Sequence, residues 1–256
     1  MTGIGIVGCG FVADYYLSTL VNYPELKVVG IVDKDKERSL RFAKHYNLPY
    51  ANSLEELLGY TKVEIILNLT NPRNHFEISK AALEAGKHVY SEKPLAMEMD
   101  EAQLLIDIAA KNNLRIASAP CSILGESAQT LWKAIRDETV GPVRLVYCEL
   151  DDGPIYLMNP EKWKSVSGTP WPVKDEYEVG CTFEHAGYYL TWLVSFFGPA
   201  ESVTVSSHQV VPDKGCSKAL SPADTPDFSV ACIKFYQERS HASHVVLPSH
   251  TTTHLR

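Results

Sequence analysis

The chain has 256 residues, 45% of them hydrophobic and 21% charged, long enough for two modest domains and too apolar for wholesale disorder. Its formal net charge is -7, with Lys and Arg scattered along the chain; the missing basic face argues against nucleic acid or an anionic membrane surface as partner. The predicted elements begin at once. "GIGIVG" is a short buried strand, with no secretory leader expected before Ile4. A helix over about 13–21 and a second strand, "KVVGIVD", follow, then a helix over "KERSLRFAKHY". "SLEELLG" opens with Ser53 and Glu56 three apart, the spacing of a capping box. "VEIILNLT" is a third strand, apolar almost throughout, as a strand covered on both faces should be. It contains Asn68-Leu69-Thr70, a formal glycosylation sequon that reads as chance. Next come a helix, "HFEISKAALEAG", closed by Gly86, a strand, "KHVYSEKP", a helix, "DEAQLLIDIAAKNN", and a strand, "LRIASAP". This alternation predicts right-handed βαβ crossovers and a parallel, doubly wound α/β sheet over residues 1–119.

After Pro120 the rhythm changes. A helix, "SAQTLWKAIRDETV", leads into "PVRLVYCELDD", whose alternation suggests a strand with one solvated face. A Pro/Trp/Gly-rich loop is expected over about 153–179, then a helix opening with "GCTFEHAGYYL", then strands in "ESVTVSSHQVV" and "DFSVACIKFYQ". Residues 120–238 thus read as an α+β domain with a mainly antiparallel sheet, and 239–256 as an atypical tail. The most apolar run, "YYLTWLVSFF", is half of the roughly 20 residues needed to cross a bilayer. The six cysteines lie far apart with no C-x-x-C pair. They read as reduced small hydrophobes of a cytoplasmic protein rather than a disulfide framework or metal site.

"GIVGCGFVADYY" carries the first chemistry. Gly8, Gly10 and Ala13 form G-x-G-x-x-A between a strand and a helix. Gly8 allows the tight turn, Gly10 the approach of a pyrophosphate, and Ala13 close helix–strand packing. With Phe11 and Val12 they open a helix whose free N–H groups and positive dipole end suit an anion. Asp33, 23 residues after Gly10, ends the next strand, where a carboxylate accepts hydrogen bonds from ribose hydroxyls. Its charge favours NAD over NADP; the neighbouring Lys34 softens that preference, so NADP is not excluded. An unoccupied α/β sheet with a glycine-rich turn is the bland alternative.

"VGCGFVA", "TNPRNHFEISKAALEAGKHVYSEKPLA" and the helix ending in "FFGPAESV" resemble the Gfo/Idh/MocA oxidoreductases, a family of glucose–fructose oxidoreductases, inositol dehydrogenases and relatives. The resemblance runs from Ile4 to about Tyr236. It implies a Rossmann domain, a sheet domain that builds a substrate pocket and an oligomer interface, and hydride transfer on sugars, polyols or similar molecules. It places Thr70, Asn71, Pro72, His75, Glu92 and Lys93 beside the cofactor. Lys93 lies between a strand end and Pro94, where an ammonium can hold the reacting oxygen during hydride transfer; a surface lysine before a turn is the plain alternative. The family's Asp and His, four residues apart, fall on Glu184 and Tyr188 by counting back from Gly198-Pro199, and residues four apart share one helix face. A tyrosine base must be brought from about 10 to near neutrality, about 4 kcal/mol. One ammonium about 4 Å away at an effective dielectric near 20 supplies about that much. Glu184 opposes such a shift, so positioning is its implied role; a further family Asp is Thr191 here. His185, about 100° around the helix from Glu184, is the rival base. Trp163 and Tyr156 sit in a loop that could roof a sugar or simply pack.

The chain is shorter than the family pattern, and "RSHASHVVLPSHTTTHLR" shows little strand or helix period. Its close histidine pairs, His241/His244 and His250/His254, lack a frame of carboxylates or cysteines for a metal. Relatives carry a strand similar to Val-Ala-Arg-Leu-Thr-Cys there. One codon string for that strand, shifted by one base, reads Ser-His-Ala-Ser-His-Val, the sequence from Ser240 to Val245. The expectation is an out-of-frame tail, a C-terminally truncated second domain with an exposed sheet edge, and loss of the homo-oligomer that full-length relatives form. Functionally the chain reads as an NAD(P)-dependent sugar or polyol dehydrogenase. A catalytically silent nucleotide-binding regulator and a truncated, non-functional product are the alternatives.

Overall fold

The computed structural model describes residues 1–151, 153–236 and 244–250. They group into two units: Met1–Ala119 with Glu161–Pro172, and Pro120–Pro160 with the described residues from Val173 onward. Glu161–Pro172, expected in a loop of the second domain, thus belongs with the first unit.

In the first unit, residues 3–7 of β1 (Thr2–Val7) are all buried. A strand buried on both faces needs paired edges and helices above and below. β1 lies between β2 (Leu26–Val32) and β3 (Ile65–Asn68), with β4 (His88–Ser91) and β5 (Ile116–Ser118) beyond, in the all-parallel order β2-β1-β3-β4-β5. The strand period of two sorts the core into two clusters. Ile4, Ile6 and Leu67 pack with Ala13 and Leu17 of α1 (Phe11–Leu20) and Phe42 of α2 (Lys36–Tyr46). Val7, Ile66 and Val89 pack with Leu57 of α3 (Leu54–Leu58), Leu83 of α4 (His75–Glu84) and Leu105 of α5 (Met99–Lys111).

The expected capping box is half made. Ser53 Oγ accepts the Glu56 N–H at 3.1 Å, but the Glu56 carboxylate reaches the Asn52 N–H at 2.8 Å, one residue too early for the reciprocal bond. Asn68 is fully buried, and its amide donates to His75 O and Ser79 Oγ, each at 3.0 Å, and accepts from Thr70 Oγ1 at 2.7 Å. In this fold the sequon asparagine is a core hydrogen-bonding group.

The second unit holds α6 (Glu126–Arg136), β6 (Leu145–Tyr147), β7 (Leu150–Asp151), α7 (Val173–Phe197), β8 (Ala200–His208), β9 (Phe228–Phe235) and β10 (His244–His250). The sheet order is β6-β10-β9-β8, with β7 also paired to β10. The β8–β9 and β9–β10 pairs are antiparallel and the β10 pairs with β6 and β7 parallel. Its core gathers Leu193 and Phe197 of α7 with Ile233 and Phe235 of β9. Leu190 and Val194 of the same helix are 37% and 50% exposed.

Two expectations are corrected here. The stretch 244–250, read as patternless tail, is a strand inside the sheet, so the sheet does not end at β9. The remainder of that tail, including 240–243 of the proposed frame shift, lies outside the described residues. Second, α7 begins at Val173, seven residues before the expected start, and runs through a break at Gly180 (φ 82°, ψ 166°). The break receives the chain returning toward β9. Ser221 N–H donates to Glu178 Oε1 at 2.6 Å, Thr225 Oγ1 to Glu178 O at 3.1 Å and Cys181 N–H to Pro226 O at 3.3 Å. A Cβ on Gly180 would lie 2.2 Å from Thr225 Cγ2 and 3.0 Å from Pro226 O. Among the described residues no helix is long and apolar enough to cross a membrane.

Gly180→Ala is therefore expected to destabilise the protein by about 1–3 kcal/mol, from the left-handed backbone and the lost nesting of Thr225. Urea unfolding followed by circular dichroism measures this; a loss under about 0.3 kcal/mol would contradict the account of the break.

Candidate functional site

In a sheet ordered 2-1-3-4-5 the ligand crevice lies beyond the carboxyl ends of the strands, where the connections part on either side of β1. Gly8 leaves the end of β1 there with φ 98°, and a Cβ on it would lie 2.5 Å from Leu69 O and 2.8 Å from Thr70 N. Only glycine lets the turn pass this close to the end of β3. At Gly10 the nearest atom to a built Cβ is Leu69 O at 4.0 Å; the backbone faces open space just before α1. Phe11, Val12 and buried Ala13 form the first turn of that helix; the Ala13 N–H donates to Gly10 O at 3.3 Å, while the N–H groups of Phe11 and Val12 precede the helix ladder.

Gly8, Gly10, Asp33, Thr70 and Asn71 line a single cavity of about 320 Å³, with an apolar wall of Val7, Val32, Leu69 and Ile78. The predicted residues Phe11, Val12, Ala13, Pro72, His75, Glu92 and Lys93 are not among its lining. Lys36, Arg38, Asn52, Asn74 and Ser53, which the sequence marks only as a helix cap, are part of it. Asp33 Oδ2 accepts the Cys9 N–H and Oδ1 the Asp35 N–H, both at 2.8 Å, so the carboxylate ties the glycine turn to the end of β2. The space, the orphan amides and the cleared backbone at Gly10 fit a dinucleotide phosphate.

Outside the cavity lining, a chain of hydrogen bonds leads to the E-K-P turn after β4. His75 is fully buried; its Nδ1 lies 2.6 Å from Pro94 O and its Nε2 2.8 Å from Thr70 O. Glu92 Oε1 accepts from Tyr16 Oη at 2.7 Å, and Oε2 accepts the Lys93 N–H at 3.1 Å. Burial, and then the Glu92 carboxylate, push the Tyr16 phenol well above its ordinary range, so it stays a donor. Lys93 is half-buried, and the Lys93–Pro94 peptide is cis.

Asp14 was also missed. This buried carboxylate on α1 accepts from Tyr46 Oη, from Ser167 Oγ at 2.8 Å and from Ser167 N–H at 3.1 Å. It anchors the 161–172 excursion, in which Trp163 packs on Trp171 with ring centroids 5.2 Å apart. An Asp one position past a G-x-G-x-x-A motif was the available signal. Glu184, Tyr188, His185 and Thr191 all lie on α7 of the second unit. Glu184 is 4% exposed and Tyr188 37%, so burial divides the pair that the i, i+4 spacing put on one face. Tyr156 lies in a short 3-10 turn of that unit. Among the described residues no three His, Cys, Asp or Glu side chains gather as a metal ion would require.

The model of the oxidoreductase family with an NAD-binding Rossmann fold, Gfo/Idh/MocA, matches residues 2–119. Over those residues the chain is thus similar to this oxidoreductase family. An uncharacterised oxidoreductase of Synechocystis sp. is 25% identical over 232 residues, covering 88% of this chain and 60% of that protein. Mouse trans-1,2-dihydrobenzene-1,2-diol dehydrogenase is 26% identical over 167 residues, 64% of this chain and 50% of that one. The chain thus spans half to three-fifths of the length of these relatives. In fold it is similar to the WlbA dehydrogenase of Bordetella pertussis, solved with NADH and UDP-GlcNAcA, with a TM-score of 0.78 at 18% identity, covering 100% of this chain and 68% of that one.

The Gfo/Idh/MocA turn also sets the chemistry of Cys9. Burial, and then the Asp33 carboxylate, raise this thiol to about 12. At pH 8 about one molecule in ten thousand carries the thiolate, the reactive form. Mapping of thiol labelling by mass spectrometry should find exposed Cys121 and Cys232 modified first and Cys9 among the last. The Cys9 rate should rise about tenfold per pH unit toward 12. Labelling of Cys9 as fast as Cys121 at pH 8 would contradict this packing.

Proposed function

We propose that this chain is a dehydrogenase or reductase that moves a hydride between a nicotinamide dinucleotide and a hydroxyl or carbonyl carbon of a sugar, polyol or related small molecule. The observation that supports this most is the E-K-P turn. Lys93 follows β4 at the end of the sheet where Gly8, Asp33 and Thr70 line the cavity, and its turn is tied down through Glu92 and His75. The family name supports the cofactor class; one relative is named a diol dehydrogenase and one neighbour in fold was solved with NADH.

In this reading Gly8, Gly10 and the first turn of α1 hold the pyrophosphate, and Asp33 faces the adenosine ribose. The bound nicotinamide supplies the hydride acceptor or donor. The Lys93 ammonium holds the substrate oxygen and stabilises negative charge on it while the C–H bond breaks or forms. Glu92 already accepts from Tyr16 and from the Lys93 amide, so its part is to orient the turn. His75 bridges the carbonyls of Thr70 and Pro94, a positioning role between the cofactor strand and the lysine. Tyr188 is assigned the proton of the reacting hydroxyl and Glu184 its positioning; the family resemblance supports both roles.

A screen of sugars and polyols with NAD(P), read by nicotinamide absorbance, tests the reading. Lys93→Met should lower kcat at least about a hundredfold with NADH Kd changed by no more than about threefold, and Tyr188→Phe should lower kcat similarly. Tight NADH binding with no turnover of any substrate, and indifference to Lys93→Met, would replace this reading with a non-catalytic nucleotide sensor.

A further inference from the structure

Glu92 directly follows β4 and stands one residue before Lys93. Its Oε2 accepts the Lys93 N–H at 3.1 Å, and its Oε1 accepts from Tyr16 Oη at 2.7 Å. The Glu92 backbone is fixed separately: its N–H donates to Asn68 O at 2.9 Å, and its carbonyl accepts from Ser91 Oγ at 3.0 Å. What is left to fix is the direction of the side chain, and the phenol fixes it. Tyr16 is half-buried on α1, three residues after Ala13. Its ring meets that of Tyr90 on β4 edge-on, with centroids 6.2 Å apart. Burial, and then the Glu92 carboxylate, hold the phenol far above its ordinary range, so the hydroxyl is a donor at any working pH. A neutral donor also brings no second positive charge close to the lysine, as an ammonium or imidazolium in its place would.

A hydrogen bond to an ionised carboxylate is roughly twice as strong as one between neutral groups. Position matters at the lysine, because a displacement of about 1 Å at a reacting centre can cost about a hundredfold in rate. We propose that Tyr16 is a positioning residue for hydride transfer: its hydroxyl sets the direction of the Glu92 side chain and, through the Lys93 amide, the place of the ammonium. The helix that opens at the glycine turn then also aims the lysine, so cofactor and ammonium are located from one element. Tyr16 touches neither cofactor nor substrate in this assignment and acts only through Glu92. The inference rests on the reading that Lys93 holds the substrate oxygen.

Hydrogen exchange of the Lys93 amide in the whole chain, read by NMR, tests the geometry with no substrate present. In Tyr16→Phe, which keeps the ring and removes one oxygen, this amide should exchange at least about tenfold faster. The Glu92 amide, held by Asn68, should change by less than about threefold. Kinetics with a substrate returned by the sugar and polyol screen test the consequence. Tyr16→Phe should lower kcat at least about fivefold, with KM and the NADH Kd changed by no more than about threefold. Glu92→Gln should lower kcat as well, because a carboxamide has one oxygen for two donors and turns its NH2 group on the other. In Tyr16→Phe/Glu92→Gln that oxygen is left for the Lys93 amide, so the double variant should have a kcat at least about threefold above that of Glu92→Gln. A tyrosine that only packs would make the two losses multiply. NADH binding doubles as the check that each variant is folded. Unchanged exchange at the Lys93 amide in Tyr16→Phe, or multiplied losses in the double variant, would overturn this inference alone. Wild-type turnover in Lys93→Met, or no turnover of any substrate, would overturn it together with the proposed function.

Discussion

The structure of the first unit turns on the close approach of the Gly8 turn to the end of β3. A Cβ at Gly8 would stand 2.5 Å from the Leu69 carbonyl, so the turn can pass only as glycine with positive φ. Because it passes, β1 and β3 pair in register along their last four residues. Gly10 then faces open space and lines the cavity, and α1 starts directly after it. The Cys9 N–H that this geometry presents is taken by Asp33, which brings the end of β2 to the same place. Three strand ends are thereby fixed around one volume before any ligand enters it.

From the same point a relay of buried polar groups runs outward. Asn68 holds Thr70 and the backbone of His75; the His75 ring lies between the carbonyls of Thr70 and Pro94; Glu92 holds Tyr16 and the amide of Lys93. Burying such groups costs free energy unless each finds a partner. The bonds therefore specify one arrangement more than they add net stability. Asp227 and Asp14 follow the same rule. Asp227 accepts the amides of Val210 and Val211 and pairs with Lys214 at 3.2 Å; Asp14 accepts from Tyr46 and Ser167. In both cases a buried carboxylate pins a long connection: the segment after β8, and the 161–172 excursion.

Much of this was legible in the sequence because local chemistry and fold agree. The G-x-G-x-x-A turn, the apolar "VEIILNLT" strand and the α2 and α4 helices each carry signals that the tertiary structure does not override. The misses have physical causes. The Pro, Trp and Gly content of 153–179 predicts a loop; the helix ahead of Gly180 forms because the return segment around Thr225, over 40 residues later, stabilises the break. β10 was read as patternless because Pro248 interrupts it. Pro248 lies opposite Val230 in an interior strand, where proline gives no N–H to the ladder and argues against a strand. "DKDKER" looks like a solvated run of alternating charge. Only the fold shows that Lys34, Lys36 and Arg38 line the cavity while Asp35 caps α2. Asp14 stands just past the glycine motif, but its partner Ser167, 153 residues away, is not legible from that position.

The account stands or falls on where a dinucleotide sits. Hydrogen–deuterium exchange of the whole chain, with and without saturating NADH, reads this directly. The account predicts added protection concentrated in 8–13, 33–38 and 69–75, the glycine turn, the end of β2 with the start of α2, and the segment from β3 to His75. Saturable binding that leaves these three segments unchanged and protects others would contradict it.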